Sequence, residues 1–222
     1  MPNFTTAAPI TAVLNIPAGD VRFVAADRTD TAVEIAPADP AKGRDVKAAE
    51  QTMVAYADGV LRIESQHKNQ YFGPTGRVQV TVQLPSASDI QARAASVELR
   101  AEGRFGDVAV DSEHGDLTVD EAATAHLATV AGNVSVGRLA GSGEIRTSKG
   151  DITITEAVRG TVTLRTDAGD ITVGAAAGVS ASLDAGTSHG RIRNGLKSAE
   201  GSVDELTVHA TVASGDITAR SL

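Results

Sequence analysis

The chain of 222 residues contains no cysteine and no tryptophan, and only 3% of its residues are aromatic. Without cysteine it forms no disulfide and has no thiol nucleophile. The scarcity of aromatic rings argues against a thick globular core and against the aromatic platforms with which polysaccharide-cleaving enzymes hold sugars. We therefore expect a thin core and no enzymatic activity.

Long apolar runs are also missing. No stretch reaches the roughly 18 apolar residues of a membrane-spanning helix, and the first residues do not form a basic and then apolar export signal. We expect a cytoplasmic protein, or a surface protein if an export signal has been removed. The net charge of −8 disfavours binding to nucleic acid or to an anionic membrane.

What the sequence has instead is a repeat of short strands joined at a glycine. Residues 162–173 read V-T-L-R-T-D-A-G-D-I-T-V, and apolar residues alternate with polar ones on both sides of the glycine, which is the period of a strand with one buried face. The same unit recurs around Gly115, Gly132, Gly150, Gly169, Gly190 and Gly215. Two residues after these glycines stand Leu117, Val134, Ile152, Ile171, Ile192 and Ile217.

A repeat of this length with period-two strands predicts an all-β, single-domain parallel β-solenoid with coils of about 18–20 residues. We predict one domain over residues 1–222, with less regular coils and a short helix near 40–51 in residues 1–85, and regular repeats over 86–222. Glycine suits a corner that needs a positive φ. The aspartate that usually follows it can accept hydrogen bonds from nearby backbone N–H groups.

Two stretches also resemble a known family. The run V-T-V-Q-L-P at Val80–Pro85, followed by repeated L-x-T-x-x-G-D-I-T-V units, resembles a bacterial family of adhesin-like proteins of unknown function that carry β-strand repeats. The opening, with Gly19-Asp20-Val21 and then Asp27-Arg28-Thr29-Asp30-Thr31, looks like actinobacterial members of it. The resemblance covers nearly the whole chain. It implies a β-solenoid and no catalytic residue.

Three polar sets are candidate sites, and each has a simpler interpretation. The corner carboxylates can bind Ca²⁺ or hold the turns, and one carboxylate per coil supplies too few ligands for a calcium site; these residues are Asp107, Asp116, Asp151, Asp170 and Asp216. His114 and His189 share a position in the repeat but should lie several coils apart. We predict no metal and no cofactor.

The third set is a column of residues three positions after the turn glycine, which should face solvent: Thr118, Ser135, Thr153, Thr172, Arg193 and Thr218. Flat threonine arrays bind ice or sugars, but threonine is also a common exposed strand residue. The interruption at Arg193 favours the second interpretation.

The sequence thus predicts a non-enzymatic, adhesin-like module that binds an unknown protein or polymer. Residues 66–76 form the longest polar loop, and loops often carry binding residues; its candidate contacts are His67, Asn69, Tyr71 and Phe72. The alternative is a scaffold that polymerises end to end through an uncapped C-terminal coil, whose last strand would expose unpaired backbone groups. The protein would then be a monomer or an end-to-end oligomer.

Overall fold

The computed structural model describes residues 2–65, 76–198 and 205–222. Its elements in chain order are β1 Asn3–Thr5, β2 Thr11–Ala26, β3 Asp30–Pro37, α1 Gly43–Gln51, β4 Thr52–Ala57, β5 Val60–Ser65, β6 Val78–Pro85, β7 Asp89–His114, β8 Leu117–Ala131, β9 Val134–Leu139, β10 Gly143–Lys149, β11 Ile152–Ala157, β12 Gly160–Ala168, β13 Ile171–Ala175, β14 Ser180–His189, β15 Ile192–Gly195, β16 Glu205–Ser214 and β17 Ile217–Ser221. The predicted all-β solenoid with one short helix is confirmed.

The strands form two layers of one open sheet, because the long strands β2, β7 and β8 bend from one layer into the other. Residues 11–15 of β2 pair with β5, whereas residues 19–26 of the same strand pair with β6. Layer 1 runs in the order β4, β5, β2, β7, β8, β10, β12, β16 and β14. Layer 2 runs in the order β1, β3, β6, β2, β7, β8, β9, β11, β13, β17 and β15.

The core lies between the layers and is one aliphatic side chain deep from each. The alternating residues of every full coil point inward and are buried; Ile152, Ile171 and Ile217, for example, are at most 1% exposed. Among the residues that the structure describes, Phe23 and Phe105 are the largest fully buried side chains. Small aliphatic side chains therefore suffice to fill the space, which explains the low aromatic content.

The coils do not stack in the order of the sequence. Strands β16 and β17 lie between β12/β13 and β14/β15, so the outermost coil is residues 180–195. At the other end, residues 11–26 lie between β5/β6 and β7. The predicted exposed edge on the last strand is therefore wrong, because β17 is paired on both sides. The end-to-end scaffold was predicted from that exposed edge, and it loses this support.

The other end of the stack is closed by antiparallel elements. The β4–β5 hairpin turns at Asp58 and Gly59, both with positive φ, as the Asp-Gly pair favours. Strand β3 covers β6 antiparallel, and α1 packs mainly against β3. The Asp45 side chain is buried, and its carboxylate accepts a hydrogen bond of 3.0 Å from the backbone N–H of Arg77, which ties the helix to the start of β6.

Candidate binding surfaces

Of the polar loop predicted to make contacts, residues 66–76, the structure describes only Gly76. His67, Asn69, Tyr71 and Phe72 lie outside the described residues, so their role stays a prediction. The chain immediately after them is held tightly. A Cβ on Gly76 would lie 2.8 Å from the carbonyl carbon of Arg44 in α1, so only glycine fits at that point.

The turn glycines stack on one another along one corner of the solenoid. Gly115, Gly132, Gly150, Gly169 and Gly215 all have positive φ, between 113° and 156°. A Cβ on Gly150 would lie 2.6 Å from the carbonyl carbon of Gly132 and closer still to its oxygen. The glycines are thus needed for the close approach of successive coils as well as for the turn.

The aspartates after these glycines join one coil to the next. The Oδ1 atom of Asp116 accepts from the backbone N–H of Asn133 at 2.7 Å, and that of Asp151 accepts from Asp170 at 2.8 Å. Asp107 lies elsewhere, since it pairs in register with Thr124 and accepts a hydrogen bond from its hydroxyl at 2.6 Å. Among the described residues no three His, Asp or Glu side chains are grouped as metal ligands.

The continuing row of carboxylates ends at Asp216, which has two arginine partners. Asp216 lies 3.3 Å from the guanidinium groups of Arg191 and Arg193. The backbone N–H of Arg191, followed by the positive charges of both arginines, lowers the pKa of the Asp216 carboxyl. Both arginines belong to the outermost coil, and their side chains pair with a carboxylate of the next coil inward.

The hydroxyl-bearing column on the outer face of layer 2 is unbroken, contrary to its appearance in the sequence. Because β17 lies between β13 and β15, Thr218 is the register neighbour of Thr172, and Arg193 comes after it at the edge. We call the five consecutive side chains the hydroxyl row: Thr118, Ser135, Thr153, Thr172 and Thr218. The interruption that argued against a binding role is therefore absent from the described surface.

Arginines bound the hydroxyl row at its other end. Arg100 is the register neighbour of Thr118 and lies directly opposite Arg22. Arg22 donates two hydrogen bonds to Glu102, at 2.8 and 2.6 Å. This pairing raises the pKa of Arg22 and lowers that of Glu102, so their charges largely satisfy each other.

Layer 1 presents a different outer face, with charged side chains around a groove. Two of its histidines have carboxylate neighbours: His126 lies 3.6 Å from Glu144, and His209 lies 3.3 Å from Asp184. His114 and His189 are five register steps apart, as predicted. The repeat spacing does not predict this groove, because the groove forms where outward side chains are small and the repeat constrains mainly the inward ones.

Comparison with known proteins adds a family and a fold. A family model described as Toastrack DUF4097 matches residues 13–221. No curated protein sequence matches the chain. No described helix is long and apolar enough to span a bilayer.

Three solved structures are similar. A "putative adhesin" from Bacteroides fragilis NCTC 9343 is 13% identical, with 98% of this chain and 95% of that chain covered and a TM-score of 0.50. A "putative adhesin" from Parabacteroides distasonis ATCC 8503 is 14% identical, with the same coverage and a TM-score of 0.48. A "putative lipid binding protein" from Parabacteroides distasonis ATCC 8503 is 9% identical, with 100% and 95% covered and a TM-score of 0.43. At these identities the likeness concerns the fold alone.

Proposed function

The chain belongs to the Toastrack DUF4097 family, and we propose that it is a non-enzymatic binding module that presents its hydroxyl row to an extended, uncharged polyhydroxylated polymer. The observation that carries the proposal is the unbroken row of five hydroxyl side chains on the outer face of layer 2. The "putative adhesin" naming of two similar structures agrees with a binding role and identifies no ligand.

The row is suited to a chain that lies across the strands. Parallel strands are about 4.8 Å apart, so the five hydroxyls extend over roughly 19 Å. Each hydroxyl both donates and accepts a hydrogen bond, and threonine is restricted at χ1, which limits the entropy lost on binding.

The charge beside the row indicates the kind of polymer. The neighbouring outward column on the corner side carries Glu98, Asp116, Asp151, Asp170 and Asp216, with Asn133 between them. Such a column repels polyanions, and its oxygens can accept hydrogen bonds from ligand hydroxyls. A neutral polysaccharide satisfies both conditions.

Affinity electrophoresis through gels that contain neutral polysaccharides tests the proposal. The double variant Thr153→Lys/Thr172→Lys places two long side chains on the row and should abolish retardation. Thr163→Lys, on the exposed outer face of layer 1, is the matched control and should bind as the parent does. Equal retardation of all three proteins would exclude the hydroxyl row, and no retardation of the parent by any neutral polymer would reject the function.

Self-association is a second candidate, supported by the outermost coil rather than by the last strand in the sequence. Ile192 occupies an inward position there but is 44% exposed, since no described coil stacks over it. Sedimentation velocity across a wide concentration range tests this. Growth into long species that Ile192→Lys prevents, and that Val130→Lys at a similarly exposed corner position does not, would support a scaffold. A single monomer throughout would exclude it.

A further inference from the structure

The outer face of layer 1 contains a groove with a volume of about 430 Å³ that runs across several coils. It lies on the opposite layer from the hydroxyl row, so a ligand in the groove binds independently of the proposed function. Its floor is formed by three small outward side chains, those of Val13, Ala109 and Ala128. Ala128 is only 5% exposed although it points out of the sheet, because longer side chains surround it.

Charged side chains of both signs line this groove without pairing. Arg93, Asp111 and Arg146 all line it, as does Glu64. Within the described part of the chain, none of these four makes a side-chain hydrogen bond or an ion pair within 4.0 Å.

Some opposite charges elsewhere on the outer surface do pair across neighbouring coils: Arg22 with Glu102, Arg138 with Glu156 and His209 with Asp184. In the groove, Asp111 and Arg146 lie on either side of Ala128 in the register, so two strand spacings, about 9–10 Å, separate their backbones and the small alanine leaves the space between them open. Donors and acceptors in the groove are thus left open toward solvent.

We infer that this groove binds a sugar-acid residue, a ring that carries one carboxylate and several hydroxyls. Arg93 and Arg146 bind the carboxylate, since guanidinium groups match its geometry. Asp111 and Glu64 accept hydrogen bonds from ligand hydroxyls, and the amide of Gln91, which also lines the groove, can donate or accept. The alanine floor contacts the C–H face of the ring.

Two features favour a sugar acid over a simple anion or an amino acid. An anion without hydroxyls would lie beside Asp111 with no hydrogen bond to offset the repulsion. An amino acid has one carboxylate and one ammonium group, which would leave Gln91 and Asn15 of the lining without a partner. A ring with several hydroxyls uses the amides as well as the charges.

Isothermal titration of the full chain with galacturonate trisaccharide at low ionic strength tests the inference. We expect the double variant Arg93→Ala/Arg146→Ala to bind at least about tenfold more weakly, since a hydrogen bond to a charged group is commonly worth a factor of that size. Arg165→Ala is the matched control, because Arg165 is exposed, follows Arg146 in the register and does not line the groove. Ala109→Gln fills the floor without a change of charge and should also abolish binding.

Two further ligands decide the chemistry. The neutral galactose trisaccharide should bind at least about tenfold more weakly than the galacturonate trisaccharide, and free glutamate should not compete. Equal affinity for the neutral sugar, competition by glutamate, or unchanged binding by the double arginine variant would each overturn the inference. Thermal unfolding of each variant confirms that it is folded.

Discussion

Replacing Gly150 by alanine puts a methyl group where two coils touch. The new Cβ would lie 2.6 Å from the carbonyl carbon of Gly132, in backbone that cannot rotate away, and Gly150 has a φ of 148°. Overpacking of this kind typically costs about 1–3 kcal/mol, and a disfavoured backbone conformation adds about 1–3 kcal/mol. We therefore expect a loss of about 2–6 kcal/mol in the free energy of unfolding.

Gly186→Ala is the matched control, because its Cβ would have no atom within 4 Å and its φ is not positive. Thermal unfolding followed by circular dichroism measures both variants. For a chain of this size each kcal/mol lowers Tm by roughly 2–4 °C, so Gly150→Ala should lower Tm by about 10 °C and Gly186→Ala by less than about 2 °C. Equal Tm values for the two variants would refute the stacked-glycine corner.

Three other predictions concern the inward and outward positions, the Asp216 ion pairs and the loop. Ile171→Asp buries a carboxylate in a fully covered position and should lower the free energy of unfolding in urea by more than about 4 kcal/mol. Thr172→Asp, at the neighbouring outward position, should lower it by less than about 1 kcal/mol. Equal losses would contradict the assignment of Ile171 to the inward face and Thr172 to the outward face. The pKa of Asp216 is lower in the folded protein than in the unfolded chain. Its negative charge therefore stabilises the fold at pH values above the pKa of the unfolded state, and this stabilisation is lost as the pH falls through the pKa of the folded state. The Tm advantage over Asp216→Asn should thus be present at about pH 7 and vanish well below pH 3.8; an advantage that persists there has another cause. The loop is a separate predicted site for a protein partner: deletion of residues 66–75 should remove capture of that partner in a pull-down without unfolding the protein and without change in binding at the hydroxyl row, and retained capture would exclude the loop.

The repeat allowed the coil to be predicted because its constraints are local. An inward residue two positions after each turn glycine must be apolar, and Ile152, Ile171 and Ile217 are. The strand ending at Pro85 was also readable, since proline removes the N–H that a ladder needs. The helix is real but begins at Gly43, because Pro40 lies in the turn that precedes it.

The order of the coils could not be predicted, because all coils share one inward pattern and any of them can stack on any other. One signal was present in the sequence. Asn194 occupies an inward position in the register of Val173 and Ala219, and a polar residue is tolerated there only where the core ends. The bonding of Asp116 and Asp151 across coils was likewise hidden, since turn preference predicts hydrogen bonds within the same corner.

The groove of layer 1 was beyond sequence reasoning for a related reason. Ala109 and Ala128 are ordinary outward strand residues when read alone. They form a floor only because the register places them on adjacent coils beside Asp111 and Arg146.

The inserted coils also determine how the molecule would carry a mechanical load. Residues 11–26 and 205–221 each lie between two other coils, paired along both sides. A pulling force applied through either segment acts on strands held by two parallel ladders, whose hydrogen bonds must shear together rather than open one by one. Peeling would require the force to enter at an edge strand, namely β14 and β15 at one end of the stack or β4 and β1 at the other.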